Sequence, residues 1–87
     1  MQIYALAAFR SRQSVLRFDS ALNEYGIASD IITTPRQISM GCGLSVRFDL
    51  AQLALAENLY YSGGYNNLIG FYRLNMDGTR VLISPIH

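Results

Sequence analysis

The chain has 87 residues, 51% of them hydrophobic and 15% charged, with a net charge of +1 at neutral pH. This length supports one domain with one core, so we expect residues 1–87 to form a single domain. The charge is carried by seven arginines and no lysine, which argues against a general electrostatic grip on nucleic acid and excludes lysine Schiff-base chemistry.

The chain contains a single cysteine, Cys42, and a single histidine, His87. One cysteine cannot form an internal disulfide, and no secretory-type segment opens the chain, so we expect a cytoplasmic protein. No apolar run approaches the roughly 20 residues that span a membrane. Cys42 and His87 give no metal-ligand spacing, so we expect no metal and no cofactor. The high apolar content of so short a chain predicts a homo-oligomer.

The first half of the chain predicts a strand, a helix and a second strand. Residues 2–9 are apolar and suit a central strand. Ser11 is a candidate helix N-cap and Gly26 a candidate helix end. The second strand is expected over residues 27–34, where Pro35 ends it. The predicted apolar face of the helix consists of Val15, Phe18, Ala21, Leu22 and Tyr25.

The second half predicts three strands and one helix. Residues 44–48 alternate with period two, which places Leu44, Val46 and Phe48 on the core side of a third strand. Asp49 is a candidate N-cap for a helix that ends near Ser62, before Gly63-Gly64. We expect a fourth strand over residues 68–74, a turn over 75–78 and a fifth strand over 80–84, closed by Pro85.

This order of elements predicts an α+β fold. It is that of a β-α-β-β-α-β ferredoxin-like plait with an added C-terminal β-hairpin. The usual strand order of the plait, 4-1-3-2, pairs the third strand antiparallel with the first. The start of the third strand should therefore lie beside the end of the first strand and the start of the first helix.

Cys42 is the candidate functional residue, because it follows Met40-Gly41 and precedes Gly43 at the entry to the third strand. The positive N-terminal end of the first helix should point toward it and favour its thiolate form. An inert, buried cysteine is the competing interpretation, in which the glycines shape a bulge or a close approach of chains. The residues expected to stabilise a thiolate or another anion are Arg10, Ser11, Arg12, Arg36, Ser39, Gly41 and Gly43.

The run Pro35-Arg36-Gln37-Ile38-Ser39, followed by Cys42-Gly43-Leu44 and Arg47-Phe48, resembles the family of selenium/sulfur carrier-like proteins. The resemblance covers residues 1–74, so 75–87 form a C-terminal hairpin extension. It implies that Cys42 holds sulfur or selenium as a persulfide or selenyl sulfide. The implied partners are a cysteine desulfurase or selenocysteine lyase-type donor and a selenium- or sulfur-accepting enzyme. Such a protein is a stoichiometric carrier and not an enzyme.

Two other functions fit the sequence. A homo-oligomeric ferredoxin-like module could bind a ligand or a protein for regulation, with Cys42 in a structural role. Single-stranded RNA could stack on Tyr4, Phe71 and Tyr72 if these rings line central strands. The low net charge counts against RNA, and the absence of an internal histidine counts against a cysteine hydrolase.

Overall fold

The computed structural model describes residues 2–38 and 43–86. It is an α+β structure with a five-stranded antiparallel sheet and two α-helices, which confirms the predicted fold class. The elements in chain order are β1 (Gln2–Phe9), α1 (Arg12–Glu24), β2 (Ser29–Thr33), β3 (Leu44–Asp49), a short 3-10 helix (Leu50–Gln52), α2 (Leu53–Ser62), β4 (Leu68–Asp77) and β5 (Arg80–Pro85).

Helix α1 begins at the predicted cap. The Ser14 N–H donates to Ser11 Oγ at 3.3 Å, and Ser11 has the extended backbone of an N-cap residue. Gly26 has φ +78° just beyond the helix, a conformation that glycine adopts without steric cost. The prediction that Tyr25 joins the apolar face was wrong. Tyr25 follows the last helical residue, so its side chain leaves the helical periodicity and is 61% exposed.

Strand β2 is shorter than the predicted range of 27–34. The N–H of Ile27 donates to the carbonyl of Leu22 at 2.9 Å and so completes the end of α1, while the Ile27 side chain is buried in the core. At the other end, the N–H of Thr34 still donates to the carbonyl of Gly43 at 2.9 Å. The pairing of the second and third strands therefore continues one residue beyond Thr33, the last residue of β2.

Strand β3 has the predicted alternation, with Val46 and Phe48 buried and Leu44 packed against the core. Asp49 is a cap, but of the 3-10 helix: the N–H of Ala51 donates to Asp49 Oδ1 at 3.0 Å. Helix α2 consequently starts at Leu53, three residues later than a direct cap at Asp49 would place it.

The turn between β4 and β5 lies two residues later than predicted. Asn75 and Met76 pair with β5, and Asp77 faces Arg80 across a two-residue loop. The first loop residue, Gly78, has φ +61°. A positive φ at this position alone is the pattern of a type II′ hairpin turn, which selects glycine there. The glycine, and not the Asn75 of the predicted turn, fixes where the chain reverses.

The strands lie in the order β2-β3-β1-β4-β5, and every neighbouring pair is antiparallel. Both helices contribute to one core on the face of β1 that carries Ala5, Ala7 and Phe9. Aromatic rings fill much of that core, with centroid distances of 5.6 Å between Phe9 and Phe18 and 5.4 Å between Phe18 and Tyr65. In the described residues, no helix is long and apolar enough to cross a membrane.

Candidate functional site

The end of the sheet where β1 finishes is the place to which the sequence assigned a site. Phe9, the last residue of β1, pairs with Leu44, the first residue of β3. Arg10 follows Phe9, and Gly43 precedes Leu44, so these two residues face each other where the strands end. Cys42, the predicted carrier residue, lies outside the described residues together with Ser39 and Gly41. Gly43 is the described residue next to Cys42 in the chain.

The two ends of the segment that contains Cys42 are joined by hydrogen bonds. The Thr34 N–H donates to the Gly43 carbonyl at 2.9 Å. Two residues after Gly43, the Ser45 hydroxyl shares a hydrogen bond of 2.7 Å with the Thr34 hydroxyl, and both side chains are buried. Thr34, where the chain leaves the sheet, and Gly43, where it returns, are therefore held next to each other. The sequence interpretation did not predict a bond between these two hydroxyls.

Gly43 lies where Thr34 and Phe9 of the neighbouring strands come close to its backbone. A Cβ built on Gly43 would lie 3.0 Å from Thr34 Oγ1 and 3.6 Å from the carbonyl oxygen of Phe9. The first distance is tighter than ordinary van der Waals contact, so a side chain at position 43 would displace Thr34. The structure thus gives this glycine a packing role. Such a role was the alternative interpretation, in which the glycine does not supply an amide N–H to an anion.

The start of α1 lies beside this end of the sheet. Ser11 caps the helix through its hydroxyl, as described above, so that its oxygen already accepts one hydrogen bond. The first N–H groups of a helix have no partner within the helix and carry the positive end of its dipole. Arg10 and Arg12 flank the cap, and both are exposed. Two exposed guanidinium groups therefore lie beside the positive end of α1.

Arg36 follows β2 in a turn closed by the Ile38 N–H, which donates to the Pro35 carbonyl at 3.0 Å. Like Arg10 and Arg12, it is exposed and forms no ion pair within residues 2–38 and 43–86. Three unpaired guanidinium groups thus belong to the segments that meet at this end of the sheet. Exposed arginines remain charged and bind anionic groups through a planar fork of donors.

Asn66 and Asn67 hold the chain beside β1 and α1 and were missed by the sequence interpretation. The Arg10 N–H donates to the Asn67 carbonyl at 2.7 Å, and the Ser14 hydroxyl donates to the Asn66 carbonyl at 3.1 Å. Asn67 has φ +67°, a left-handed conformation that asparagine tolerates better than most residues. The Asn-Asn pair after two glycines was the available signal for such a turn.

A family model described as "Putative Se/S carrier protein-like" matches residues 4–66. This chain belongs to that family. The match includes Cys42, the end of β1, the start of α1 and the start of β3, and it ends before Asn67 and β4, which also lie at this end of the sheet. No curated protein and no solved structure matches this member of the Se/S carrier-like family.

Arg47 of this Se/S carrier-like protein makes its contacts away from this end of the sheet. Its Nη2 lies 2.9 Å from Asp30 Oδ2, and its guanidinium carbon lies 4.7 Å from the centre of the Tyr4 ring. This cation–π and ion-pair arrangement belongs to the sheet face that the helices do not cover. The Arg47 guanidinium therefore adds no charge to the end of the sheet where β1 finishes.

The three aromatic rings that could have stacked on RNA do not lie on one surface of the carrier-like protein. Phe71 is 2% exposed in the helix-side core, whereas its neighbour Tyr72 points to the other face and lies over Gly70. Tyr4, Phe71 and Tyr72 therefore do not form a common stacking surface for RNA. Two surface hollows, one beside Arg17 and Tyr65 and one beside Tyr4 and Arg47, include none of the predicted site residues. The described residues contain no group of three potential metal ligands.

Proposed function

We propose that this protein carries sulfur or selenium on the thiol of Cys42, as a persulfide or a selenyl sulfide. The observation that carries the proposal is the family match over residues 4–66, which contains the only cysteine of the chain. If the carried atom is held by a cysteine, that residue can only be Cys42. The protein then acts stoichiometrically between two enzymes and needs no turnover of its own.

The proposed loading step is an exchange at divalent sulfur. The Cys42 thiolate attacks the outer sulfur of a persulfide on a cysteine desulfurase. A new S–S bond forms on Cys42, the S–S bond of the donor breaks, and the donor cysteine leaves as a thiolate, so no external oxidant or reductant is consumed. A selenocysteine lyase-type donor would deliver selenium through the corresponding exchange at a selenyl sulfide.

Unloading reverses the same chemistry. A thiolate of the accepting enzyme attacks the outer atom, and Cys42 is released as a thiolate. Both directions require an ionised sulfur that also leaves readily. Positive groups near a cysteine favour the ionised form, and they would also attract the anionic persulfide. The exposed Arg10, Arg12 and Arg36 and the first turn of α1 are the described groups that support this requirement.

The proposed fold is the ferredoxin-like plait, extended by one strand. The sequence of pairings β2-β3-β1-β4, all antiparallel, supports this assignment, with β5 added outside β4. In this fold the first helix starts where the first strand ends, which is next to the strand that Cys42 precedes. We propose a cytoplasmic carrier whose donor and acceptor reach it at this end of the sheet.

Intact-mass spectrometry tests the carrier function directly. The protein is incubated with a cysteine desulfurase and cysteine, or with a selenocysteine lyase and selenocysteine, and then weighed with and without reductant. We expect one added sulfur or selenium atom, its removal by reductant, and no addition to Cys42→Ser. Addition of the atom to folded Cys42→Ser, or no addition to the wild-type protein, would overturn the proposal.

A further inference from the structure

Strand β5 is an apolar edge of the sheet. It lies at the end of the strand order, and β4 is its only strand neighbour in the part of the chain that the structure describes. Val81 is 41% exposed and Leu82 is 52% exposed, although they point to opposite faces of the sheet. An edge strand with exposed aliphatic side chains on both faces is a template for pairing with another strand.

The ladder with β4 determines which backbone groups of β5 remain available. The N–H of Ile86 donates to the carbonyl of Phe71 on β4 at 2.9 Å. Because alternate residues of an antiparallel strand bond to the same neighbour, residues 80, 82 and 84 also face β4. The N–H and C=O groups of Val81 and Ile83 therefore point outward. Pro85 also occupies an outward position, where its lack of an N–H breaks no bond to β4.

We propose that β5 pairs antiparallel with β5 of a second copy, with Leu82 of each copy opposite Leu82 of the other. In this register Val81 lies opposite Ile83 of the second copy on both sides of the twofold axis. Each such pair exchanges two backbone hydrogen bonds, so all four outward groups of Val81 and Ile83 are satisfied. The two five-stranded sheets become one continuous sheet of ten strands.

The side chains fit the same register. Leu82 meets Leu82 on one face, and Val81 meets Ile83 on the other, so the two most exposed aliphatic residues of β5 are covered. Arg80 lies opposite Ser84, which brings no like charges together. A register centred on Ile83 would pair Val81 with Pro85, which cannot donate. A register centred on Val81 would pair Ile83 with Thr79, which lies in the hairpin loop.

A second copy is the favoured occupant because the strand is complementary to itself under twofold symmetry, as a closed dimer requires. The other edge strand, β2, is five residues long and presents Asp30 on its surface, and charged residues on an edge discourage pairing. Six residues of β5 extend about 20 Å. The surface area buried along one strand of this length is smaller than the roughly 1,200–2,000 Å² buried in a standard protein–protein interface. We therefore expect a reversible, concentration-dependent dimer.

Charges introduced at position 82, on the proposed twofold axis, test the register. Sedimentation velocity over a concentration series should show a monomer–dimer equilibrium for the wild-type protein. Leu82→Lys and Leu82→Glu should each weaken dimerisation at least about tenfold, because like charges then face each other. An equimolar mixture of the two variants should restore the dimer. Leu16→Lys is the matched control, since Leu16 is 48% exposed on α1 and should leave the equilibrium unchanged.

Hydrogen exchange distinguishes this edge from any other interface. The outward amides of Val81 and Ile83 should exchange quickly in dilute protein and become protected as the dimer forms, whereas the amide of Leu82 is protected in both states. A wild-type protein that is monomeric at every concentration would overturn the proposal. So would a dimer that survives Leu82→Lys, or one in which the amides of Val81 and Ile83 remain unprotected.

Discussion

Thr34 and Ser45 share a hydroxyl–hydroxyl hydrogen bond of 2.7 Å in a buried position. The bond joins the chain just before the cysteine-containing segment to the chain just after it. Together with the backbone bond from Thr34 to Gly43, it fixes the spacing of the two points from which that segment extends. The bond therefore contributes to fold stability and to the placement of the proposed carrier residue at once.

Removing both hydroxyls should cost less stability than the sum of the losses caused by removing each one alone. Ser45→Ala or Thr34→Val alone leaves a buried hydroxyl without its partner, which costs about 1–3 kcal/mol in the free energy of unfolding. The double variant should lose less than the sum of the two single variants. Urea denaturation of the four proteins provides the double-mutant cycle. Additive losses would mean that the two hydroxyls are not coupled.

Gly43→Ala should destabilise the fold because its new Cβ approaches Thr34 Oγ1 to 3.0 Å. We expect a loss of about 1–3 kcal/mol, the usual range for overpacking. In a background with Thr34→Ala and Ser45→Ala the oxygen is absent, so the added cost of Gly43→Ala should be smaller. Thermal denaturation compares the two backgrounds. An equal cost in both backgrounds would show that the contact with Thr34 Oγ1 is not the cause of the loss.

The arginines at the end of the sheet should tune the reactivity of Cys42. Arg10→Gln, Arg12→Gln and Arg36→Gln should each slow thiol alkylation near neutral pH, by about two- to threefold for a surface charge. Arg80→Gln is the matched control, because Arg80 starts β5 at the opposite end of the sheet. The rate of iodoacetamide reaction checks this expectation. Equal rates in the wild-type protein and all four variants would show that these charges do not affect the reactivity of the thiol.

Stability should fall at alkaline pH through Tyr65. Burial, opposed in part by Arg17, raises the pKa of the Tyr65 hydroxyl above its ordinary value of 10.0 in the folded state, and Glu24 raises it further. Above that ordinary value the unfolded chain ionises first, so each rise in pH favours unfolding until the folded pKa is reached. Urea denaturation from pH 8.5 to about 11 measures the slope.

Two tyrosine variants separate this effect from the other tyrosines. Tyr65→Phe cannot ionise at position 65, so the alkaline loss of unfolding free energy should be reduced. Tyr61→Phe removes the hydroxyl of a side chain that is 72% exposed, so the variant should keep the slope of the wild-type protein. The assignment to Tyr65 fails if both variants have the same slope.

Local sequence signals predicted the elements of the fold where one residue dominates the local geometry. Ser11 predicted the start of α1, the alternation from Leu44 to Phe48 predicted β3, and Gly63-Gly64 predicted the end of α2. Element limits were less accurate where single hydrogen bonds at the ends of helices decide them. Ile27 joins the end of α1 because its N–H finds the Leu22 carbonyl, and Asp49 caps a short 3-10 helix.

The candidate site was predictable in part for the same reason. The order of elements predicted that β1 and β3 would be neighbours, and this brings Arg10 and Gly43 together at one end of the sheet. The Thr34–Ser45 bond and the attachment of Asn66 and Asn67 depend on residues that are distant in the chain. Serine, threonine and asparagine are common in loops, so their types alone did not identify these contacts.

The antiparallel pairing of β4 with both β1 and β5 makes β1 and β5 run in the same direction. When two copies join through β5 about a twofold axis, their β1 strands must consequently run in opposite directions. The two places where the Cys42-containing segments leave the sheet, between Thr34 and Gly43 of each copy, then occupy opposite poles of the shared sheet. A donor enzyme docked at one pole would leave the other accessible, so that one dimer could load at one end while it delivers at the other.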